Sequence, residues 1–507
     1  MPRRIWMAGA VLATAAAAVA SWTFVSADQR GGASGGGQGG GPGRGAAAAL
    51  AEPFVGITAD GTVETGLFPI RATGVTTKPV VDAAKAFVAA LAPADRERTL
   101  FPVDSTEWRD WNNVHRYTRK GVSLAELSES QRERAFDLMR AGLSAKGFEQ
   151  SRNIMRLNGY LAELTRAFDE YGELLYHFTI MGEPSETEPW GWQLDGHHLI
   201  INYFVMGDQV VMTPTFMGSE PVSSTEGDTA GIHLLQDEQN LGLALAMSLT
   251  PGQRQVAVLQ TTKTGNNALA QAFRDNLVLD YAGIRADALN AEQRAALLRV
   301  IYEYVRNMSD GHAKIRMEEV EAHLARTYFA WIGPIAEDAV FYYRIHSPVI
   351  LIEFDHQSPV ALPGERVPGR RHVHTVVRTP NGNDYGADLL RQHIEQHANA
   401  RRTGTPTEGR FRSGRRNRTP HVVQVRRARL QGRRGPYTAL LDEGSEDIER
   451  RLRHVVVRHD AEMVKGAVAA AVGIPKGEEL VSRDTEVVGQ FENGLDYVTK
   501  HDSLTGS

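Results

Sequence analysis

The chain has 507 residues, enough for two or more domains or for one large domain with appendages. Its 42% hydrophobic and 23% charged content is that of a globular protein, and a net charge of −5 gives no reason to expect nucleic acid as a partner. It has no cysteine, which excludes disulfides, a lipidated cysteine, thiolate metal sites and a cysteine nucleophile.

In chain order, Met1-Pro2-Arg3-Arg4 is a positive start and Ile5 to Val25 a continuous apolar stretch, closed by Val25-Ser26-Ala27 before Asp28. Residues 1–27 thus read as an export signal. The expected location is periplasmic or secreted, with a membrane anchor if the segment is not cleaved. Residues 28–50 are dominated by glycine and read as a flexible linker without a nucleotide-binding role.

Residues 51–400 carry the signals of one folded unit. Val80, Ala84, Phe87, Val88 and Leu91 follow helical spacing, as do Leu297, Ile301, Tyr304, Val305 and Met308. Ser128, Thr250 and Asn290 each stand three residues before a glutamine and predict three helix starts, rather than an internal repeat. Strands are expected at Leu199–Met206 and Gln209–Thr215, joined by a Gly207-Asp208 turn, and at 341–346, 349–355 and 372–378. Helices mixed with hairpin strands, without βαβ alternation, predict an α+β domain built on an antiparallel or mixed sheet with helices packed around it.

Arg401 to Arg434 holds twelve arginines against one acid, Glu408. Residues 401–435 therefore read as an Arg-rich segment of low order, and 436–507 as a C-terminal extension of unknown role. A nucleic-acid arm is disfavoured because Phe411 is its lone aromatic.

The chemistry-bearing residues concentrate in four stretches. In "RRHVHTVVRTPNGNDYG", His372 and His374 project from one face of a strand, where two imidazoles can reach one ion. Arg378 shares that face. In "VILIEFDHQ", Glu353 lies in an apolar run, where a carboxylate needs a cation or a metal. In "GWQLDGHHLIINYF", His197 and His198 are expected on opposite faces of a strand, so only one joins a given site; His198 is the candidate. Trp190 and Trp192 share a face and are read as core rather than as a sugar-stacking pair. In "LLRQHIEQHANA", His393 and His397 sit at i and i+4 of a helix, but Glu395 is misplaced for a zinc-peptidase motif. No nucleophile elbow or phosphate-binding loop occurs in the folded region.

The segments "WGWQLDGHHLIINYF", "TPTFMGSEP", "FAWIGP", "YYRIHSPVILIEFD" and "HVHTVVRTPNGNDYGADLLRQH" resemble, in that order, the domain-of-unknown-function family numbered 3500. The resemblance covers about residues 55–400. It implies an exported protein without naming a reaction, and leaves the Arg-rich tail as an addition. The family often shows Asn-His-x-His where this chain has Arg371 before His372.

These readings lead to one expectation and one alternative. The expectation is an exported metal-dependent enzyme, most plausibly a hydrolase. His372, His374 and Glu353 are its expected ligands for a divalent ion, with His198 or His393 completing the shell, and zinc, copper, iron and manganese are not distinguished. Arg344 and Arg378 are expected to hold an anionic group, and Asp384 to serve as a base or a partner to a histidine. No nucleotide cofactor is expected. The alternative is a non-catalytic extracytoplasmic protein that captures a metal, sugar or peptide in a sheet-lined cleft.

Overall fold

The computed structural model describes residues 44–403 and four three-residue strands, Val423–Val425, Tyr437–Ala439, Leu480–Ser482 and Leu504–Gly506. The export signal, most of the glycine-rich stretch and most of 401–507 lie outside the described residues. The part expected as linker up to residue 50 is corrected at its end. Arg44–Ala51 is a helix, as five alanines favour, and Arg109 donates to the carbonyls of Ala49 and Glu52 there. Among the described residues, no helix is long and apolar enough to cross a membrane.

The described residues up to Thr403 belong to one compact unit. In the second unit, Val423–Val425 pairs antiparallel with Tyr437–Ala439, and Leu480–Ser482 with Leu504–Gly506. The first unit is α+β, with helices packed on a mixed sheet of thirteen strands. Its eight main strands are β1 (Tyr176–Met181), β2 (Trp190–Gly196), β3 (Leu199–Met206), β4 (Thr215–Ser219), β5 (Tyr328–Ile332), β6 (Tyr342–His346), β7 (Leu351–His356) and β8 (Val373–Arg378). They lie in the order β1-β2-β3-β4-β8-β7-β6-β5, every neighbouring pair antiparallel. Parallel pairing enters only at the two edges, through Leu100–Phe101 beside β1 and Val258–Gln260 beside β5.

That order reads the same from either edge, and the helices follow suit. Pro93–Thr99 runs into Leu100–Phe101 as Pro251–Ala257 runs into Val258–Gln260. Gly121 and Gly283, both at positive φ, press against the carbonyls of Phe178 and Phe329, where an added Cβ would stand 2.0 and 2.1 Å away. Gln131 caps the carbonyl of Ala90, and Gln293 that of Ser248, each at the end of the preceding long helix. Ser128, Thr250 and Asn290 do start helices with full capping boxes. They are helix starts, as expected, and the two halves of the sheet, β1 to β4 and β5 to β8, share one strand order.

One sheet face packs on the helices, and Trp190, Trp192, Tyr203, Tyr343 and Phe354 lie in that core. The other face is covered by loops and buries both an apolar cluster, around Phe204, Phe216 and Val376, and most of the charged side chains of the sheet. Directly opposed residues on neighbouring strands share a face. The pairs Asp355–His374 and Glu353–Val376 therefore put Glu353, Asp355, His372, His374 and Arg378 on this loop-covered side.

Candidate metal centre

His372 and His374 are brought to one face by strand alternation, at the start of β8. His198 arrives from the other half of the chain. It is not on a strand: His197 and His198 form the two-residue turn between β2 and β3, with His198 left-handed at φ 63°. The expectation of opposite strand faces is corrected accordingly, and the two rings stack at 3.9 Å. The turn is pinned on both sides. His198 N–H donates to Asn113 O at 3.2 Å, and Gly218 N–H on β4 donates to His198 O at 2.8 Å.

The three Nε2 atoms converge. They are 3.1 Å apart for His198–His372, 3.1 Å for His198–His374 and 3.0 Å for His372–His374. The rings splay at 63°, 64° and 81° to one another, so their edges rather than their faces meet. Three nitrogens so spaced can all reach one ion at the ~2.05 Å usual for a histidine ligand. Among the described residues this is the one group of three or more potential ligands that closes on a common point.

The electrostatics suit a cation. His372 donates Nδ1–H to Ser358 O at 2.8 Å, which fixes its tautomer and turns the Nε2 lone pair inward. Burial holds the pKa of His198 and His374 well below the usual imidazole range, with the neighbouring histidines adding to the effect. Burial also lowers His372, against the pull of Glu220, whose carboxylate is 3.5 Å from Nδ1. Three buried imidazoles with their Nε2 atoms gathered at one point are a set that a divalent ion satisfies.

Around the triad, His197 sets its Nδ1 on Asn158 Oδ1 at 2.8 Å, and Asn158 Nδ2 in turn donates to Gly172 O. Tyr171 and His115 edge against His197, at 5.2 and 5.6 Å between ring centroids. His115 lies 3.2 Å from Glu170. Glu220 accepts the backbone N–H groups of Val360, Ala361 and Leu362 and thereby holds the loop that carries Ser358.

The other residues expected at the site lie elsewhere. Glu353 shares the face of His374 but is not a member of the triad. Its oxygens accept from Tyr342 OH at 2.6 Å and from the N–H groups of Leu269 and Ala270, which uses the carboxylate fully. Asp355, directly opposite His374, is likewise taken by Lys263, Asn267, Ala268 and Gln357. His393 is on the helix Ala387–Thr403, against His397 and 3.6 Å from Glu188. Arg378 is spent on Asp275 at 2.8 Å, Asp384 at 3.3 Å and the carbonyls of Ala270 and Gln271. Asp384 accepts from Thr379 N–H at 2.7 Å, and burial pushes its pKa up to about 6 against the pull of Arg378. Arg344 is buried opposite Glu353 and donates to Asp280 O. These groups hold loops to the sheet; the structure does not bring them to the histidines.

Sequence reasoning passed over His197, Glu220 and Gly218. Glu220 stood in the quoted "TPTFMGSEP" and carried the same signal as Glu353, an acid beside an apolar strand. Gly218 carried none, because its role depends on which strand lies next to β8.

By the pairing of the two halves, the positions matching His374 and His198 are Val211 and Val349. Both belong to the apolar cluster of the loop-covered face, so the fold offers the arrangement twice and the histidines occupy it once. No curated protein and no solved structure matches the chain. A family model does, over residues 73–387, and by that match the chain belongs to the family described as Protein of unknown function (DUF3500).

Proposed function

We propose that the protein is an exported metal-dependent enzyme of the hydrolase class, with His198, His372 and His374 as the three protein ligands of one divalent ion. The observation that carries the reading is the convergence of three buried Nε2 atoms from two halves of the chain onto one point. Three histidines plus an open position is the ligand set that lets an ion polarise a substrate oxygen and acidify a bound water. The rest of the apparatus is the chain's own. Ser358 O orients His372, Glu220 holds the loop that positions Ser358, and His197 backs His198 by stacking. Export rests on residues 1–27 alone. The alternative, a binding protein that captures a metal without turnover, uses the same ligands; capture of a sugar by Trp190 and Trp192 is disfavoured by their full burial in the core.

Elemental analysis of purified full-length protein tests the proposal. Wild type is expected to carry about one equivalent of a transition metal, and His372→Ala/His374→Ala to carry none. Wild type that stays metal-free after reconstitution with zinc, copper and manganese would overturn the reading. A bound metal without turnover on a panel of esters, amides and phosphoesters favours capture over catalysis.

A further inference from the structure

An imidazole that binds an ion through Nε2 carries its proton on Nδ1 and needs an acceptor there. His372 has one in Ser358 O. His374 has none: its Nδ1 is buried and finds no hydrogen-bond partner. Asp355 Oδ1, on β7, is buried and without a hydrogen bond as well. Among the described residues, these are the one case in which two such atoms belong to directly opposed residues of neighbouring strands.

The His374 ring faces the right way. Directly opposed residues share a sheet face, with Cβ atoms about 4.5–5.5 Å apart. The ring turns its Cδ2 edge to β4, where the Cβ that Gly218 lacks would stand 3.1 Å from it. Nδ1 lies on the opposite edge and is therefore turned to β7, the strand of Asp355. The carboxylate is held in place by its other oxygen, since Oδ2 accepts the N–H groups of Asn267 at 2.6 Å and Ala268 at 2.9 Å and the side-chain amide of Gln357. Oδ1 meets Lys263 Nζ at 2.7 Å as an ion pair off the line of a hydrogen bond, and keeps an acceptor position. Lys263 is itself buried and donates to Gly265 O and Asn267 Oδ1, so the cation that balances Asp355 is fixed too.

We propose that Asp355 is the residue that positions His374 for the ion: its Oδ1 accepts Nδ1–H when the three histidines bind, as Ser358 O already does for His372. The inference rests on the metal reading and deepens it, because an anionic partner makes the Nε2 of a ligating histidine a better donor to a cation. In this structure both atoms stand without a hydrogen bond, and pairing satisfies the two together.

Zinc added to the full-length protein with isotope-labelled histidine tests this by NMR and by competition with a chelator of known affinity. Zinc-loaded wild type is expected to show a slowly exchanging Nδ1–H signal for His374, displaced downfield because its acceptor is charged. In Asp355→Asn the backbone N–H groups of Asn267 and Ala268 hold the amide oxygen and turn its NH2 group to the other side. The His374 signal is then expected to move while that of His372 stays, and zinc affinity to fall by about 10- to 100-fold. Asp355→Asn/Lys263→Met, which removes the two buried charges together, takes its place should the single variant not fold, with the same loss expected. Glu353→Gln separates positioning from support of the loop, because Glu353 holds the same loop through Leu269 and Ala270. It is expected to leave zinc affinity and both signals unchanged. A folded Asp355 variant with wild-type zinc affinity or an unmoved His374 signal, or an equal loss in Glu353→Gln, would overturn this inference alone. Wild type that takes up no zinc overturns it as well, and where copper and manganese are also refused the metal reading falls with it.

Discussion

Gly218 on β4 lies directly opposite His374 on β8, and the Cβ it lacks would stand 3.1 Å from His374 Cδ2 and 3.2 Å from His198 Cδ2. The same Cβ would be 2.8 Å from Val373 O, a backbone atom that cannot swing aside. The missing side chain therefore leaves the room that the two rings occupy. Gly218→Ala is expected to push the two rings apart and weaken metal binding by at least about tenfold, with the sheet retained. Competition with a chelator of known affinity reads the change, and circular dichroism checks the fold. Wild-type affinity in a folded Gly218→Ala would show that the rings do not need this gap.

Glu220 acts one step further out. Its carboxylate gathers three consecutive N–H groups, of Val360, Ala361 and Leu362, and stands 3.5 Å from His372 Nδ1. Glu220→Gln keeps the size but loses the charge and an acceptor. Metal affinity is expected to fall by about 10- to 100-fold, as is usual for partners of ligating histidines, and protease cleavage within 359–369 to accelerate. Unchanged affinity together with unchanged cleavage would separate Glu220 from the site.

Arg378 is expected to matter for stability rather than for chemistry. Burial works to raise the pKa of Asp275, but Arg378 and Arg109 outweigh it and hold the carboxylate below its ordinary range. Arg378→Met would leave Asp275 and Asp384 without their shared cation. A loss of about 3–5 kcal/mol is expected from urea denaturation, with metal stoichiometry unchanged in the folded fraction. A variant as stable as wild type would contradict this account of the loop-covered face.

Much of this was legible in the chain because it is local. The alternation of His372 and His374 follows from strand geometry, and the capping residues at 128, 250 and 290 mark helix starts without tertiary help. The placement of Glu353 was not legible. A carboxylate in an apolar strand calls for a partner, but backbone N–H groups from Leu269 and Ala270 meet that need as well as a metal would, and nothing in the spacing tells them apart. The turn at His198 was misread as strand although Asp195-Gly196 directly precedes it, because a histidine rather than a glycine or asparagine holds the left-handed position. The common strand order of the two halves was not legible either, because it lies in which strands pair and not in local spacing.

His177 links burial to acid sensitivity away from the triad. Burial lowers its pKa to about 4, and repulsion from Arg119 adds to the shift. An unfolded histidine takes up its proton near pH 6.5, so between about 6.5 and 4 the unfolded chain binds a proton that the native one refuses. Its contribution to stability is thus intact above pH 6.5 and falls by about 1.4 kcal/mol per pH unit below it. His346 and His356, lowered to about 3, act in the same direction. Glu107, raised to about 7, and Asp195, Asp355 and Asp384, raised to about 6, act in the opposite one, each gaining stability as pH falls. The net profile of wild type therefore reports a balance, but a single replacement isolates one member. Relative to wild type, His177→Gln is expected to gain about 2 kcal/mol on going from pH 7 to pH 5, whatever its offset at pH 7. Urea midpoints of both proteins at pH 7, 6 and 5 measure it, and parallel curves would show that His177 titrates in the folded protein as it does in the unfolded chain.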